Sequence, residues 1–124
     1  MAKKIVVVDD DYSIRELLEV NLKYYGYEVR TAGDGMAALG VLKETLPDLV
    51  ILDVIMPELD GWELCKIIRD DHEFENTKIV MLTAKGHDKD RMIGKEILKA
   101  DEYITKPFDM GKLINTVKEL LNES

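Results

Sequence analysis

The sequence is short of the residues on which several classes of protein depend. Among its 124 residues there is one cysteine, Cys65, which excludes an internal disulfide and fits a reducing compartment, by default the cytoplasm. The two histidines, His72 and His87, have no cysteine or histidine neighbour at the spacing of a zinc site. No hydrophobic run approaches the ~20 residues of a membrane-spanning helix, and no signal peptide is expected at the N-terminus.

Positive charge is also scarce. The chain has 17 lysines and arginines against 25 aspartates and glutamates, a formal net charge of -8, with no dense basic stripe. Such a chain repels a phosphate backbone, so direct nucleic-acid binding by this domain is not expected. With 46% hydrophobic and 34% charged residues, the composition is that of an ordinary globular protein, and residues 1–124 are expected to form one domain.

What the sequence does contain is a regular alternation of strand and helix patterns. This alternation predicts βαβ units and a doubly wound (βα)5 fold around a five-stranded parallel sheet. In α1 the run from Ser13 to Glu16 has the spacing of a capping box, and in α3 the residue Ile67 is expected to be buried with its apolar neighbours. The predicted elements are β1 (5–8), α1 (13–25), β2 (28–31), α2 (34–45), β3 (49–52), α3 (from 60), β4 (79–82), α4 (88–99), β5 (103–105) and α5 (109–121).

Polar residues follow four of the predicted strands at the point where each strand ends. In a parallel sheet these ends lie along one edge, where ligands of open α/β sheets bind. Aspartates, and no glycine-rich phosphate loop, follow β1, which counts against a nucleotide site there. The polar strand ends are Asp9-Asp10-Asp11 after β1, Asp53 after β3, Thr83 after β4 and Lys106-Pro107 after β5.

This set of side chains suits a divalent cation and a phosphoryl group. Gathered carboxylates repel one another, and Lys106 alone cannot neutralise them, so a hard cation such as Mg²⁺ is the better match. Asp53 is the candidate nucleophile, because a carboxylate can attack phosphorus and form an acyl phosphate. Thr83 and Lys106 could each contact a phosphoryl oxygen. Taken singly, each residue has an ordinary explanation, such as a helix N-cap for Asp11, so the interpretation depends on four strand ends agreeing.

Together these motifs resemble the receiver domain of bacterial and archaeal two-component response regulators, in the superfamily of the chemotaxis regulators. The resemblance covers residues 4–121, with the motifs in the order and spacing of that family. It implies a flavodoxin-like three-layer sandwich with strand order 2-1-3-4-5. The motifs are Asp9-Asp10, the run Asp53-Val54-Ile55-Met56-Pro57, Asp60-Gly61, Thr83-Ala84 and the run Tyr103-Ile104-Thr105-Lys106-Pro107-Phe108.

The resemblance implies a role for each site residue. Asp53 would accept a phosphoryl group from a phosphohistidine of a sensor histidine kinase or phosphotransfer protein. Mg²⁺ would be bound directly by Asp10, Asp53 and the backbone carbonyl of Ile55, with Asp9 acting mainly through a water. Lys106 would contact the phosphoryl group, and its peptide bond to Pro107 would be cis.

The resemblance also implies a switch. Thr83 would move toward the phosphoryl group, Tyr103 would swing inward, and the α4-β5-α5 surface would change for a target protein, an output domain or a second copy. The domain would be a signalling switch that catalyses only its own phosphotransfer and slow self-dephosphorylation. The apolar Ile55 beside the site offers no polar group to orient water, which predicts that this dephosphorylation is slow. Leu98-Lys99-Ala100 stands where many receivers carry a Gly-Ala pair, so α4 departs from the family pattern.

Two other functions stay open at this point. A hydrolase of the haloacid-dehalogenase type would use Asp9 as nucleophile and Asp11 as acid, with Thr83 and Lys106 in later motifs. The short chain, the missing cap and the absence of an acidic pair after the lysine count against it. A receiver-like binding module that never accepts phosphate is the third reading. The kinase, the stimulus and the output pathway cannot be read from these residues.

Overall fold

The computed structural model describes residues 2–56, 59–84 and 100–123. The predicted α4 (88–99) lies outside the described residues, and its label is kept for that prediction. In the part of the chain that is described, no helix is both long and apolar enough to cross a membrane. The elements are β1 (Lys4–Val8), α1 (Tyr12–Tyr24), β2 (Glu28–Ala32), α2 (Gly35–Thr45), β3 (Leu49–Asp53), α3 (Gly61–Asp70), a 3-10 turn (His72–Phe74), β4 (Lys78–Ala84), β5 (Glu102–Lys106) and α5 (Met110–Leu120).

The five strands form one parallel sheet in the order β2-β1-β3-β4-β5, which confirms the predicted fold and strand order. The register aligns the strand ends: Asp53 of β3 pairs with Leu82 of β4, and Thr83 pairs with Thr105 of β5. We call the edge where the strands finish the carboxyl end of the sheet, and the opposite edge the amino end. The polar residues that follow the strands therefore share the carboxyl end.

Helices cover both faces of the sheet, which explains why the inner strands are apolar throughout. Successive strand residues point to opposite faces, so Val6 packs in the core with α2 and α3 while Val7 packs in the core with α1 and α5. The run from Ile5 to Val8 is fully buried on both sides. This is the pattern expected of parallel strands between two helical layers.

Aspartates start all four described α-helices. In α1 the cap is Asp11, whose carboxylate accepts hydrogen bonds from the backbone N–H groups of Ser13 at 2.9 Å and Ile14 at 3.3 Å. The predicted capping box at Ser13 is therefore wrong, because Asp11 already satisfies the free N–H groups and the helix begins at Tyr12. The other caps are Asp34 for α2, Asp60 for α3 and Asp109 for α5.

The buried faces of the helices are narrower than their apolar patterns. In α1 only Leu18 and Leu22 are buried, while Leu17 is 51% exposed. In α3 the residue Ile67, predicted to be buried, is 40% exposed although Ile68 beside it is fully buried. Neighbouring helix residues point about 100° apart, so the side of α3 that carries Leu64, Cys65 and Ile68 faces the sheet and Ile67 lies at its margin.

Candidate functional site

The first acidic residue of the site is held by the end of β1. Asp9 is fully buried, and its backbone N–H donates to the carbonyl of Ala32 in β2 at 3.2 Å. Its Oδ1 accepts a hydrogen bond from the N–H of Asp11 at 2.9 Å. Asp10 lies between them with an exposed side chain. The β1–α1 loop thus presents one buried and one exposed carboxylate at the carboxyl end of the sheet.

Asp53 lies next to this loop because β1 and β3 are neighbours. It is 6% exposed, and its Oδ1 accepts a hydrogen bond from the N–H of Ile55 at 3.2 Å. The first turn of α3 lies directly against the backbone of Asp53 and Val54, so that a side chain on Gly61 would collide with the Asp53 carbonyl. The N–H of Gly61 donates to the carbonyl of Val54 at 3.0 Å. Glycine is required at 61 because the helix approaches the strand end so closely.

Lys106 joins the carboxylates of two strands. Its Nζ lies 3.0 Å from Oδ2 of Asp9 and 3.3 Å from Oδ2 of Asp53. Burial lowers the pKa of Lys106, but the hydrogen bond to Asp9 and the charges of both aspartates outweigh it and raise the pKa above its usual value. The ammonium is therefore charged and fixed between the two acids.

Three carboxylates meet here, and we call Asp9, Asp10 and Asp53 the acid cluster. One oxygen of each lies within 4.8 Å of the others. Burial first, and then the charge of Asp9, raise the pKa of Asp53 to about 6 against the lowering effect of Lys106. Among the described residues, Lys106 is the cation that pairs with these carboxylates, and it contacts only Asp9 and Asp53, so a hard cation with oxygen ligands fits the charge that stays unpaired. The residues present therefore fit a Mg²⁺ ion.

The remaining predicted site residues surround the acid cluster. Thr83 is 2% exposed and lies one residue beyond Leu82, the β4 partner of Asp53. The Lys106–Pro107 peptide bond is cis, the isomer that the resemblance implies. The side chain of Ile55 is 60% exposed beside Asp53, so an apolar group borders the site.

Tyr103, the predicted switch residue, lies in β5 with its side chain pointing into the core. It is 4% exposed, and its ring centroid is 5.9 Å from that of Trp62 at the start of α3. In this structure the Tyr103 side chain is therefore in its inward position. Its response to phosphorylation stays a prediction.

The cysteine and the described histidine, to which the sequence assigns no functional role, lie in the core and on the surface. Cys65 is buried in the core, and burial raises the pKa of its thiol to about 11, so it is not a reactive thiol. The imidazole of His72 is exposed and lies 3.2 Å from the carboxylate of Glu75. His87 and Pro57 lie outside the described residues.

One residue of the site was missed by sequence reasoning. Arg15 lies one turn into α1, and its Nη1 donates a hydrogen bond to the backbone carbonyl of Asp9 at 2.7 Å. The available signal was its position four residues after the cap Asp11, where a long side chain can reach back along the helix toward the preceding loop. Its target is a backbone atom, and no residue pattern marks such a contact.

Comparison with known proteins agrees with this geometry. The family model of the response regulator receiver domain matches residues 5–118. A structure from Chloroflexus aurantiacus J-10-fl, described as a response regulator, is 38% identical with a TM-score of 0.92, and the match covers 99% of this chain and 100% of that one.

Two further solved structures extend the comparison. The chemotaxis protein CheY4 of Vibrio cholerae is 34% identical with a TM-score of 0.90, over 97% of this chain and 99% of that one. NtrX from Brucella abortus is 34% identical with a TM-score of 0.88, over 98% of this chain and 27% of that longer one. With its strand order, its acid cluster and these matches, the chain belongs to the response regulator receiver domain family.

Proposed function

We propose that this chain is a phosphoacceptor that takes a phosphoryl group onto Asp53, with Mg²⁺, from a phosphohistidine of a sensor histidine kinase or phosphotransfer protein. One observation carries the proposal most directly. The carboxylate of Asp53 lies 3.3 Å from the ammonium of Lys106 and shares its crevice with the other two acids of the cluster. A nucleophile, a fixed cation and a cation-binding set of oxygens are the parts that phosphoryl transfer needs.

In this proposal, Asp10, Asp53 and the backbone carbonyl of Ile55 hold the Mg²⁺ directly, and Asp9 acts mainly through a water. When bound, the ion supplies positive charge that lets the carboxylates and the phosphoryl oxygens approach each other. Asp9 also holds Lys106 in place through the 3.0 Å contact between Oδ2 and Nζ. Asp9 thus holds Lys106 in place, and Asp53 acts as the nucleophile.

The transfer itself needs little covalent chemistry from the protein. A carboxylate oxygen of Asp53 forms a bond to phosphorus while the phosphorus–nitrogen bond of the donor breaks, and the electron pair stays on the imidazole nitrogen. Lys106 Nζ and the Thr83 hydroxyl donate to phosphoryl oxygens as charge develops on them. Asp53 attacks as the carboxylate, and already in the metal-free protein its pKa of about 6 leaves most of it in this form at neutral pH.

The proposed output is a change in the α4-β5-α5 surface. Thr83 moves toward the phosphoryl group, and the inward position that Tyr103 already has beside Trp62 becomes favoured, which biases an existing equilibrium. A target protein, an output domain or a second copy then binds the changed surface. The 27% coverage of NtrX supports an output domain as one form of partner, because a receiver of this kind also occurs within a longer chain.

The test is intact-mass analysis after incubation with acetyl phosphate and Mg²⁺. The wild type is expected to gain one phosphoryl group and Asp53→Asn none. Asp48→Asn is the matched control, because Asp48 lies at the amino end of the sheet, where its Oδ2 accepts from the N–H of Lys4 at 2.8 Å. It should be labelled like the wild type. Label on Asp9 with turnover of phosphate esters would indicate the phosphohydrolase instead, and no label on any form would indicate a module that binds without accepting phosphate.

A further inference from the structure

The three carboxylates of the acid cluster are not held equally. The Asp9 carboxylate is fixed by the N–H of Asp11 and by Lys106, and the Asp53 carboxylate by the N–H of Ile55 and by Lys106. Within the described residues, no group donates a hydrogen bond to the Asp10 carboxylate. Its place is therefore set by the backbone that carries it.

That backbone is held by Arg15. The guanidinium Nη1 donates to the carbonyl oxygen of Asp9 at 2.7 Å, a short bond from a charged donor. This carbonyl belongs to the peptide unit that joins Asp9 to Asp10, so the bond fixes the plane from which the Asp10 side chain leaves. The guanidinium carbon lies 5.4 Å from the ring centroid of Tyr12, a cation–π contact that further restrains it.

The β2–α2 loop also contacts the Arg15 side chain. A Cβ built on Gly33 would lie 3.0 Å from Arg15 Nη1, so the guanidinium occupies the space that any larger residue at 33 would fill. The strand β2 that leads into this loop pairs with β1 up to Val8 and Ala32. Arg15 thus lies between two loops of the carboxyl end and depends on both.

From these contacts we propose that Arg15 is a positioning residue for the divalent cation, acting through the Asp9 carbonyl on the carboxylate of Asp10. The inference rests on the proposed Mg²⁺ site. It opposes the simple electrostatic expectation, because a guanidinium close to a cation site repels the cation. Removing Arg15 should weaken Mg²⁺ binding if positioning dominates, and should strengthen it if only the charge matters.

The experiment is calorimetric titration of Mg²⁺ into the folded protein without any phosphoryl donor. Arg15→Met is expected to raise the Kd about tenfold, the usual size of an effect exerted through a ligand's partner. Arg15→Lys, which keeps the charge and one donor, should raise it less. The matched control is Arg30→Met, which removes the same charge from an exposed ion pair with Glu44 at 3.3 Å and should leave the Kd unchanged.

A second pair of variants keeps the test independent of how well Arg15→Met folds. Gly33→Ala places a Cβ 3.0 Å from Arg15 Nη1, so the guanidinium has to shift away from the Asp9 carbonyl, which should raise the Kd in the same direction. Gly40→Ala, where a Cβ would meet nothing within 4 Å, should not change it. A wild type that takes up no Mg²⁺ overturns the metal site itself. A wild type that binds Mg²⁺, with an unchanged or lower Kd in Arg15→Met and no change in Gly33→Ala, overturns the role of Arg15 alone.

Discussion

The two ends of the sheet differ in how their charged side chains are paired. At the amino end, Arg69 pairs with Asp101 at 2.7 Å and also donates to the carbonyl of Thr77 at 2.8 Å. The same Asp101 oxygen accepts from the N–H of Ile79 at 2.7 Å. At the carboxyl end, three carboxylates lie close together, and among the described residues Lys106 pairs with two of them, Asp9 and Asp53. Matched charges at one end stabilise the fold, while the excess of negative charge at the other leaves room for a cation and for chemistry.

The largest effect on stability should come from removing the Arg69–Asp101 ion pair at the amino end of the sheet. Asp101→Ala removes the carboxylate that accepts from both Arg69 Nη2 and the N–H of Ile79, and we expect the free energy of unfolding to fall by about 3 kcal/mol. Urea denaturation measures this loss. Labelling of Asp53 by acetyl phosphate, measured well below the midpoint of unfolding, should remain.

The matched control for that variant is Asp70→Ala, which removes a carboxylate from the same end of α3 without touching the Arg69–Asp101 pair. It should cost well under 1 kcal/mol, as exposed substitutions usually do. An equally small cost for Asp101→Ala would contradict the view that the amino end is held by paired charge.

A smaller and opposite effect is expected at the carboxyl end. The pKa of Asp53 in the folded protein, about 6, lies above its ordinary value of 3.8. Between these pH values the folded form binds more protons than the unfolded form, so the free energy of unfolding falls as pH rises through this window and stays low above it. Asp53→Asn cannot ionise. Without Mg²⁺ it should therefore be more stable than wild type by about 2 kcal/mol at pH 7.5, with little difference at pH 4.

Thermal or urea unfolding across pH 4 to 8 checks this expectation. Asp109→Asn serves as the control, because asparagine caps a helix about as well as aspartate and α5 should begin unchanged. Parallel stability curves for wild type and Asp53→Asn would show that the carboxyl end carries no unfavourable charge, and the contrast between the two ends would be lost.

The smallest effect is expected on the rate of dephosphorylation, when Ile55, the apolar residue that borders the site, is replaced. Ile55→Asn places a polar group where it can orient water beside the phosphorylated Asp53, and dephosphorylation should accelerate roughly threefold, less than 1 kcal/mol in barrier height. Ile55→Leu keeps an apolar side chain and should decay like the wild type. Decay of the phosphorylated mass with time measures both rates. A slower or unchanged rate for Ile55→Asn would contradict the prediction that the apolar side chain at 55 keeps dephosphorylation slow.

Much of the fold was predictable because its signals are local. The apolar runs of β1 and β3 are buried on both faces, and an alternation of strands and helices leaves few arrangements other than a doubly wound sheet. The start of α1 was not predicted correctly, since Asp11 and Ser13 both suit an N-cap and the sequence alone does not decide between them. The exposure of Ile67 depends on which side of α3 meets the sheet, and that is set by packing.

The acid cluster could likewise be predicted, because parallel strands bring their ends to one edge. Strand order places the ends of β1 and β3 side by side, so Asp9 and Asp53 meet. Lys106 ends β5, which β4 separates from β3, and its long side chain spans that gap to reach both acids. The contact of Arg15 with the Asp9 carbonyl could not be predicted, since it requires a side chain, a backbone atom and the β2–α2 loop to meet at once. Backbone acceptors carry no signature in the sequence.

The most direct test of the central claim is a crystal structure of the protein with Mg²⁺ and beryllofluoride, a mimic of the phosphoryl group. The ion is expected between the carboxylates of Asp10 and Asp53 and the carbonyl of Ile55, with beryllofluoride on Asp53 and in contact with Lys106. An ion bound elsewhere, or a beryllofluoride attached to any residue other than Asp53, would contradict it.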